Sequence, residues 1–115
     1  CLDPRYAAPE YYDRQFGRID HTTDVYHLGA VLYRLLTGRP PFLGEFETIR
    51  EDVMSAAPPI PSLVVDVPDD IDSVITKAMA KRTLRRYETI NDLRQDLVRV
   101  HDELTGREGD GSERP

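Results

Sequence analysis

From Asp24 onward the sequence carries a helix that is apolar on two sides, and this constrains the fold more than any other feature. Val25, Leu28, Gly29, Leu32, Leu35 and Leu36 share one helical face, while Ala30, Val31 and Tyr33 make the opposite side apolar too. Such a helix is stable in water only when other elements cover both sides, so it is expected to be buried all round at the centre of the fold. Thr23 or Asp24 is placed to cap its N-terminus, Gly38 suits the left-handed position after its last turn, and Pro40-Pro41 stops any continuation. The stretch also holds Tyr, His and Arg and falls short of the roughly 20 apolar residues that span a bilayer. No membrane segment is expected in this chain.

Around this centre the pattern predicts three further helices. Residues 1–23 are punctuated by Pro4, Pro9 and Gly17 and read as loop, with Pro9-Glu10 able to open one short turn. Phe46, Ile49 and Val53 form a narrow stripe in a charged segment, which predicts a surface helix over 45–56. Pro58, Pro59 and Pro61 then force an extended connection to Pro68. After an Asp69 cap, Ile71, Val74, Ile75, Ala78 and Met79 repeat at helical spacing. Thr89 and Asp92 make a capping-box-like start for a last helix striped by Leu93, Leu97, Val100 and Leu104, which is expected to end near Gly106. Residues 108–115 contain no apolar side chain, so 106–115 is expected to be a disordered tail.

Charge and composition exclude several classes of function. The 115 residues carry a formal charge of -6, which argues against nucleic-acid binding through clustered Lys and Arg. One cysteine forms no internal disulfide, and His21, His27 and His101 have no ligand-like spacing, so no metal is expected to be bound by this chain. Tyr11 and Tyr12 read as packing residues or as a modification or binding patch. The chain opens on Cys1 rather than on methionine, and no charged n-region or apolar h-region of the kind that marks a secretory signal follows. It is expected to be a piece of a longer protein.

Three segments, in order, resemble the back half of a eukaryotic-like protein kinase. Pro4-Arg5-Tyr6-Ala7-Ala8-Pro9-Glu10 is similar to the P-x-Y-x-A-P-E sequence that ends the activation segment. Asp24-Val25-Tyr26-His27-Leu28-Gly29 resembles the start of the family's F helix, and Leu32 to Phe42 is close to L-Y-E-L-L-T-G-x-P-P-F. Lys81 to Ile90 resembles the K-D-P-x-x-R-[YF] stretch between the H and I helices, with Arg86 at the arginine position, although Arg82 and Thr83 replace Asp-Pro. The nearest group is the prokaryotic serine/threonine kinases.

The resemblance implies a mainly α fold: helices F to I of a kinase C-lobe over 24–105, preceded over 1–23 by the end of the activation segment. It implies that Leu2, Asp3, Pro4, Arg5 and Tyr6 form the loop that receives the substrate residue after the phosphoacceptor. It gives Ala8, Pro9, Glu10, Asp24, Gly29 and Arg86 structural roles. Glu10 and Arg86 would form a bidentate ion pair, where composition alone leaves both as solvated surface charges. Asp24 would accept backbone N–H bonds from the catalytic loop, beyond simply capping a helix. Gly29, disfavoured inside a helix by about 1 kcal/mol, points to close packing against another backbone or to plain tolerance. Leu2-Asp3 replaces the family's Gly-Thr, which leaves a weakly active kinase, a pseudokinase or a protein-interaction module open.

The Gly-rich loop, the strand lysine, the His-Arg-Asp loop and the Asp-Phe-Gly aspartate do not occur in the sequence. The resemblance therefore implies ATP and Mg as cofactors of an intact parent kinase, with none bound by this chain and no activity from it alone. The implied partners are the N-lobe and catalytic-loop half of the same kinase and a protein or peptide substrate, in a cytoplasmic setting. An unrelated four-helix interaction domain would instead leave Glu10 and Arg86 far apart.

Overall fold

The computed structural model describes Asp3 to Ser112, with side chains described through Thr105. Among the described residues five α-helices follow one another: α1 His21–Thr37, α2 Phe46–Ser55, α3 Pro61–Val64, α4 Asp69–Ala78 and α5 Ile90–Ser112. Short 3-10 turns occupy Pro4–Tyr6, Pro9–Tyr11, Arg14–Phe16 and Thr83–Arg85, and no strand occurs among the described residues. The architecture is mainly helical, as the sequence pattern requires. Among the described residues no helix is long and apolar enough to cross a membrane.

The central helix α1 starts three residues before the position that its apolar pattern marks. Asp20, rather than Thr23 or Asp24, is the N-cap: its carboxylate accepts from the Thr22 N–H at 2.9 Å, and the Thr23 hydroxyl accepts from the Asp20 N–H at 3.0 Å. This reciprocal capping box satisfies orphan amides that a lone cap leaves open. The helix ends at Gly38 in the left-handed conformation, with φ 80°.

Two apolar clusters meet on α1. Tyr26, Ala30 and Tyr33 pack with Ala8, Phe42, Ile49, Val53, Ile75 and Met79, while Val25 packs with Val74, Ala78, Tyr87, Leu93 and Val100. Helix α4 joins both, because Ile75 and Met79 face one cluster and Val74 and Ala78 the other. α1 is nonetheless not buried all round. Val31 is 44% and Leu35 74% exposed, and Leu28 is half-buried. The opening turn Pro4–Tyr6, α3, α4 and α5 pack on α1, and Ile49 and Val53 reach it from α2, but among the described residues nothing covers Val31 and Leu35.

Other elements differ in detail from their sequence patterns. The proline stretch is not wholly extended, since Pro61 opens the four-residue α3 and is itself buried. Asp69 is not a side-chain cap for α4; Pro68 holds that position, and Asp69, Asp70 and Asp72 fill the first turn, where carboxylates favour the helix dipole. Asp72 instead accepts from the N–H and hydroxyl of Ser62, tying α3 to α4. Helix α5 runs past Gly106, where its apolar stripe predicts the end, to Ser112. The expected tail lies outside the described residues in its side chains from 106, and altogether from 113.

Candidate functional site

Arg86 lies between Tyr87, which belongs to the core, and the 3-10 turn Thr83–Arg85, so the backbone aims it inward at the start of α1. There it meets Glu10, held by the turn Pro9–Tyr11. The contact is bidentate: Nη1 to Oε2 is 2.6 Å and Nη2 to Oε1 is 2.7 Å, and neither side chain has any solvent exposure. The remaining guanidinium donors go to the carbonyls of Thr22 at 3.1 Å, Lys81 at 3.2 Å and, from Nε, Ala80 at 2.8 Å. All five N–H groups of the arginine are thereby used. Its guanidinium carbon also stands 4.9 Å from the centre of the Tyr26 ring.

Glu10 is satisfied from two directions, because the Thr23 hydroxyl donates to Oε2 at 2.7 Å while accepting from the Asp20 N–H. Burial pushes the Glu10 carboxyl up, but the hydrogen bonds from Arg86 and Thr23 outweigh it and hold it below the usual carboxylate range. One buried network therefore ties the opening turns, the α1 N-terminus and the α4–α5 connection together. Sequence reasoning finds the two charges and places Thr23 only as a cap. The carbonyls of Thr22, Ala80 and Lys81 leave no residue-type signal, because any residue supplies a carbonyl.

The other expected site residues fall into three groups. Ala8 and Pro9 are buried beside Glu10 beneath the opening loop. In that loop the Asp3 carboxylate accepts from the Arg5 N–H at 3.0 Å and pairs with its guanidinium at 2.7 Å, both side chains being largely solvated. Pro4 and Tyr6 are half-buried, and Leu2 lies outside the described residues. Gly29 faces α4, where an added Cβ would stand 2.8 Å from Ala78 Cβ and 3.0 Å from Met79 Cγ. The close approach is to side-chain atoms more than to backbone.

Asp24 lies apart from this network. It is exposed and shares the outward stripe of α1 with Leu28, Val31 and Leu35. Among the described residues its carboxylate makes no hydrogen bond or ion pair. One turn along, His27 stacks on Tyr11 at 5.6 Å between ring centres, and its Nε2 is buried without a hydrogen-bond partner among the described residues. Burial pushes the imidazole below its usual value against the pull of Asp24 and Glu10. Tyr12 packs edge-on against Phe46 at 6.2 Å, so both opening tyrosines have ring partners.

The departure from the kinase pattern at Arg82-Thr83 has a local partner of its own. Gly17, with φ 138°, lies against Thr83 so closely that a Cβ would stand 2.1 Å from its Oγ1, and Arg82 Nη1 donates to the Gln15 carbonyl at 3.2 Å. Among the described residues no group of three or more His, Cys, Asp or Glu is arranged to hold a metal ion.

Comparison of the sequence with known proteins points to one family. The chain is 39% identical over 106 residues to the serine/threonine-protein kinase PknB of Mycolicibacterium smegmatis, a match covering 85% of the chain. The protein of the same name from Mycobacterium tuberculosis is 40% identical over 105 residues, and a probable serine/threonine-protein kinase PknB from Bifidobacterium longum is 35% identical over 96. The chain is a region of a prokaryotic-type serine/threonine protein kinase domain. It spans about 16% of the length of the mycobacterial kinases and 14% of the Bifidobacterium protein. No family model matches it.

Proposed function

We propose that this part of the kinase domain supplies the peptide-substrate platform and the helical scaffold beneath the catalytic loop, and that it transfers no phosphate by itself. The observation that carries the reading is the buried Glu10–Arg86 pair. It fixes the loop Asp3 to Tyr6 to the rigid start of α1 from below, which is what a surface that positions a peptide needs. The stripe of Asp24, Leu28, Val31 and Leu35 is where the catalytic-loop half of the same kinase docks, with Asp24 accepting from its backbone.

ATP, Mg and the phosphoryl-transfer residues belong to that other half. Such catalysis rests on positioning and charge stabilisation around the γ-phosphate, and the groups required are absent from the present sequence. The reading gives the whole protein a protein Ser/Thr substrate and a cytoplasmic site of action, where Mg-ATP is available. Incubation with radiolabelled Mg-ATP and a basic protein substrate tests it. The full-length protein is expected to label serine or threonine and the chain alone to give background; label transfer by the chain alone overturns its inactivity.

A second reading, a pseudokinase or interaction module, is favoured by Asp3. This carboxylate stands where the family's resemblance calls for a threonine hydroxyl, and the hydrogen bonds from Arg5 hold it below the usual carboxylate range. A folded full-length protein that transfers no label, and gains none with Asp3→Thr, would decide for the second reading.

A further inference from the structure

The proline-rich connection before α4 closes one side of a small apolar cavity that the substrate platform does not use. Tyr33, Pro59, Ile60, Ile75 and Met79 line it, Lys81 stands at its edge, and its volume is about 240 Å³. Its walls are fixed. The Tyr33 hydroxyl donates to the Pro59 carbonyl at 2.6 Å, Pro61 is buried, and Asp72 holds Ser62.

Lys81 is the anomaly of this cavity. Its ammonium has three N–H donors, yet its hydrogen-bond acceptor among the described residues is the Asp52 carbonyl at 3.4 Å, a long bond. It stands 4.8 Å from the centre of the Phe42 ring, and no carboxylate lies within ion-pair distance of it among the described residues. The Asp52 carboxylate pulls on it from beyond ion-pair distance, and two of its three N–H donors have no hydrogen-bond acceptor among the described residues. Burial pushes its pKa down to about 8, so at neutral pH most of it is still charged.

We propose that this cavity binds a small amphiphilic monocarboxylate, its apolar body against Ile75 and Met79 and its carboxylate on the Lys81 ammonium. The volume suits an aliphatic or aromatic acid of about a dozen heavy atoms, below the usual size of a drug-like site. The charge selects the acid over an alcohol of the same length, because a charge-assisted hydrogen bond is roughly twice as strong as a neutral one.

The chain's two methionines make the test site-specific, since Met79 lines the cavity and Met54 does not. Methyl-¹³C methionine spectra of the full-length protein, in which the Met54 and Met79 signals are picked out from any others by Met54→Leu and Met79→Leu, are titrated with octanoate and separately with octan-1-ol. Octanoate is expected to shift Met79 saturably and to leave Met54 in place, with octan-1-ol about tenfold weaker. Lys81→Leu should bring octanoate down to the level of the alcohol, and Lys81→Arg should keep the preference. Equal affinity for acid and alcohol, movement of Met54 together with Met79, no shift of Met79, or an unchanged preference in Lys81→Leu each overturns the proposal.

Discussion

Replacing Glu10 by glutamine removes one charge from a pair that no water reaches, and leaves the guanidinium of Arg86 desolvated opposite a neutral amide. Breaking a buried, hydrogen-bonded ion pair from one side costs roughly 3 to 5 kcal/mol, and both side chains here are fully enclosed. Glu10→Gln is therefore expected to lower the unfolding free energy by about that amount in urea titration. A loss below about 1 kcal/mol would mean that the pair is exposed in solution. Glu10 and His27 set two steps in acid. The depressed Glu10 carboxyl contributes fully above its unfolded value, about 4.3, and the contribution is lost as pH falls through the lower folded pKa. His27 works in a higher window, because the folded chain resists a proton that the unfolded chain accepts below about 6.5. Stability should thus begin to fall below about pH 6.5 and fall again below about 4.3. His27→Gln should remove the upper step and Glu10→Gln the lower, as read from urea midpoints across pH.

Among the elements, α1 packs closely on α4 at Gly29. A methyl at Gly29 meets Ala78 Cβ at 2.8 Å, and both atoms sit on helix backbones with no rotamer to change. Gly29→Ala gains about 1 kcal/mol of helix propensity but overpacks the interface by about 1 to 3 kcal/mol. A net loss of about 1 kcal/mol is expected in urea unfolding, against a net gain if the glycine were merely tolerated. Helices with a single stripe, such as α2 and α4, are legible in the sequence because burial of one face and the 3.6-residue period report the same thing. Their ends are less legible. The α1 start depends on a reciprocal pair, Asp20 with Thr23, that lies ahead of the apolar pattern, and α3 depends on Tyr33 and Asp72 binding the proline segment from elsewhere in the chain. Glu10 and Arg86 are legible only through the order of three kinase-like segments, since nothing local says that charges so far apart meet. The carbonyl acceptors around Arg86 and the cavity beside Lys81 exist only once the backbone is folded.

For the molecule as a whole, the decisive asymmetry is that α1 is covered on two sides and bare at Val31 and Leu35, with half-buried Leu28 beside them and exposed Asp24 at the head of that stripe. Apolar residues one and two turns apart on an exposed helix face form a continuous patch, and such patches ordinarily mark an interface. The isolated chain is accordingly expected to bind a dye such as anilinonaphthalene sulfonate and to self-associate as its concentration rises. Val31→Lys with Leu35→Lys should abolish most of the dye signal and the self-association. It should shift the unfolding free energy by no more than about 0.5 kcal/mol, the usual range for surface changes. If the catalytic-loop half docks on the stripe as proposed above, the same double substitution in the full-length protein should do the reverse, costing several kcal/mol and any phosphoryl-transfer activity, because it would place two ammonium groups inside that joint. Equal tolerance in both settings would mean that the stripe faces water in the complete kinase, and that the catalytic-loop half docks elsewhere.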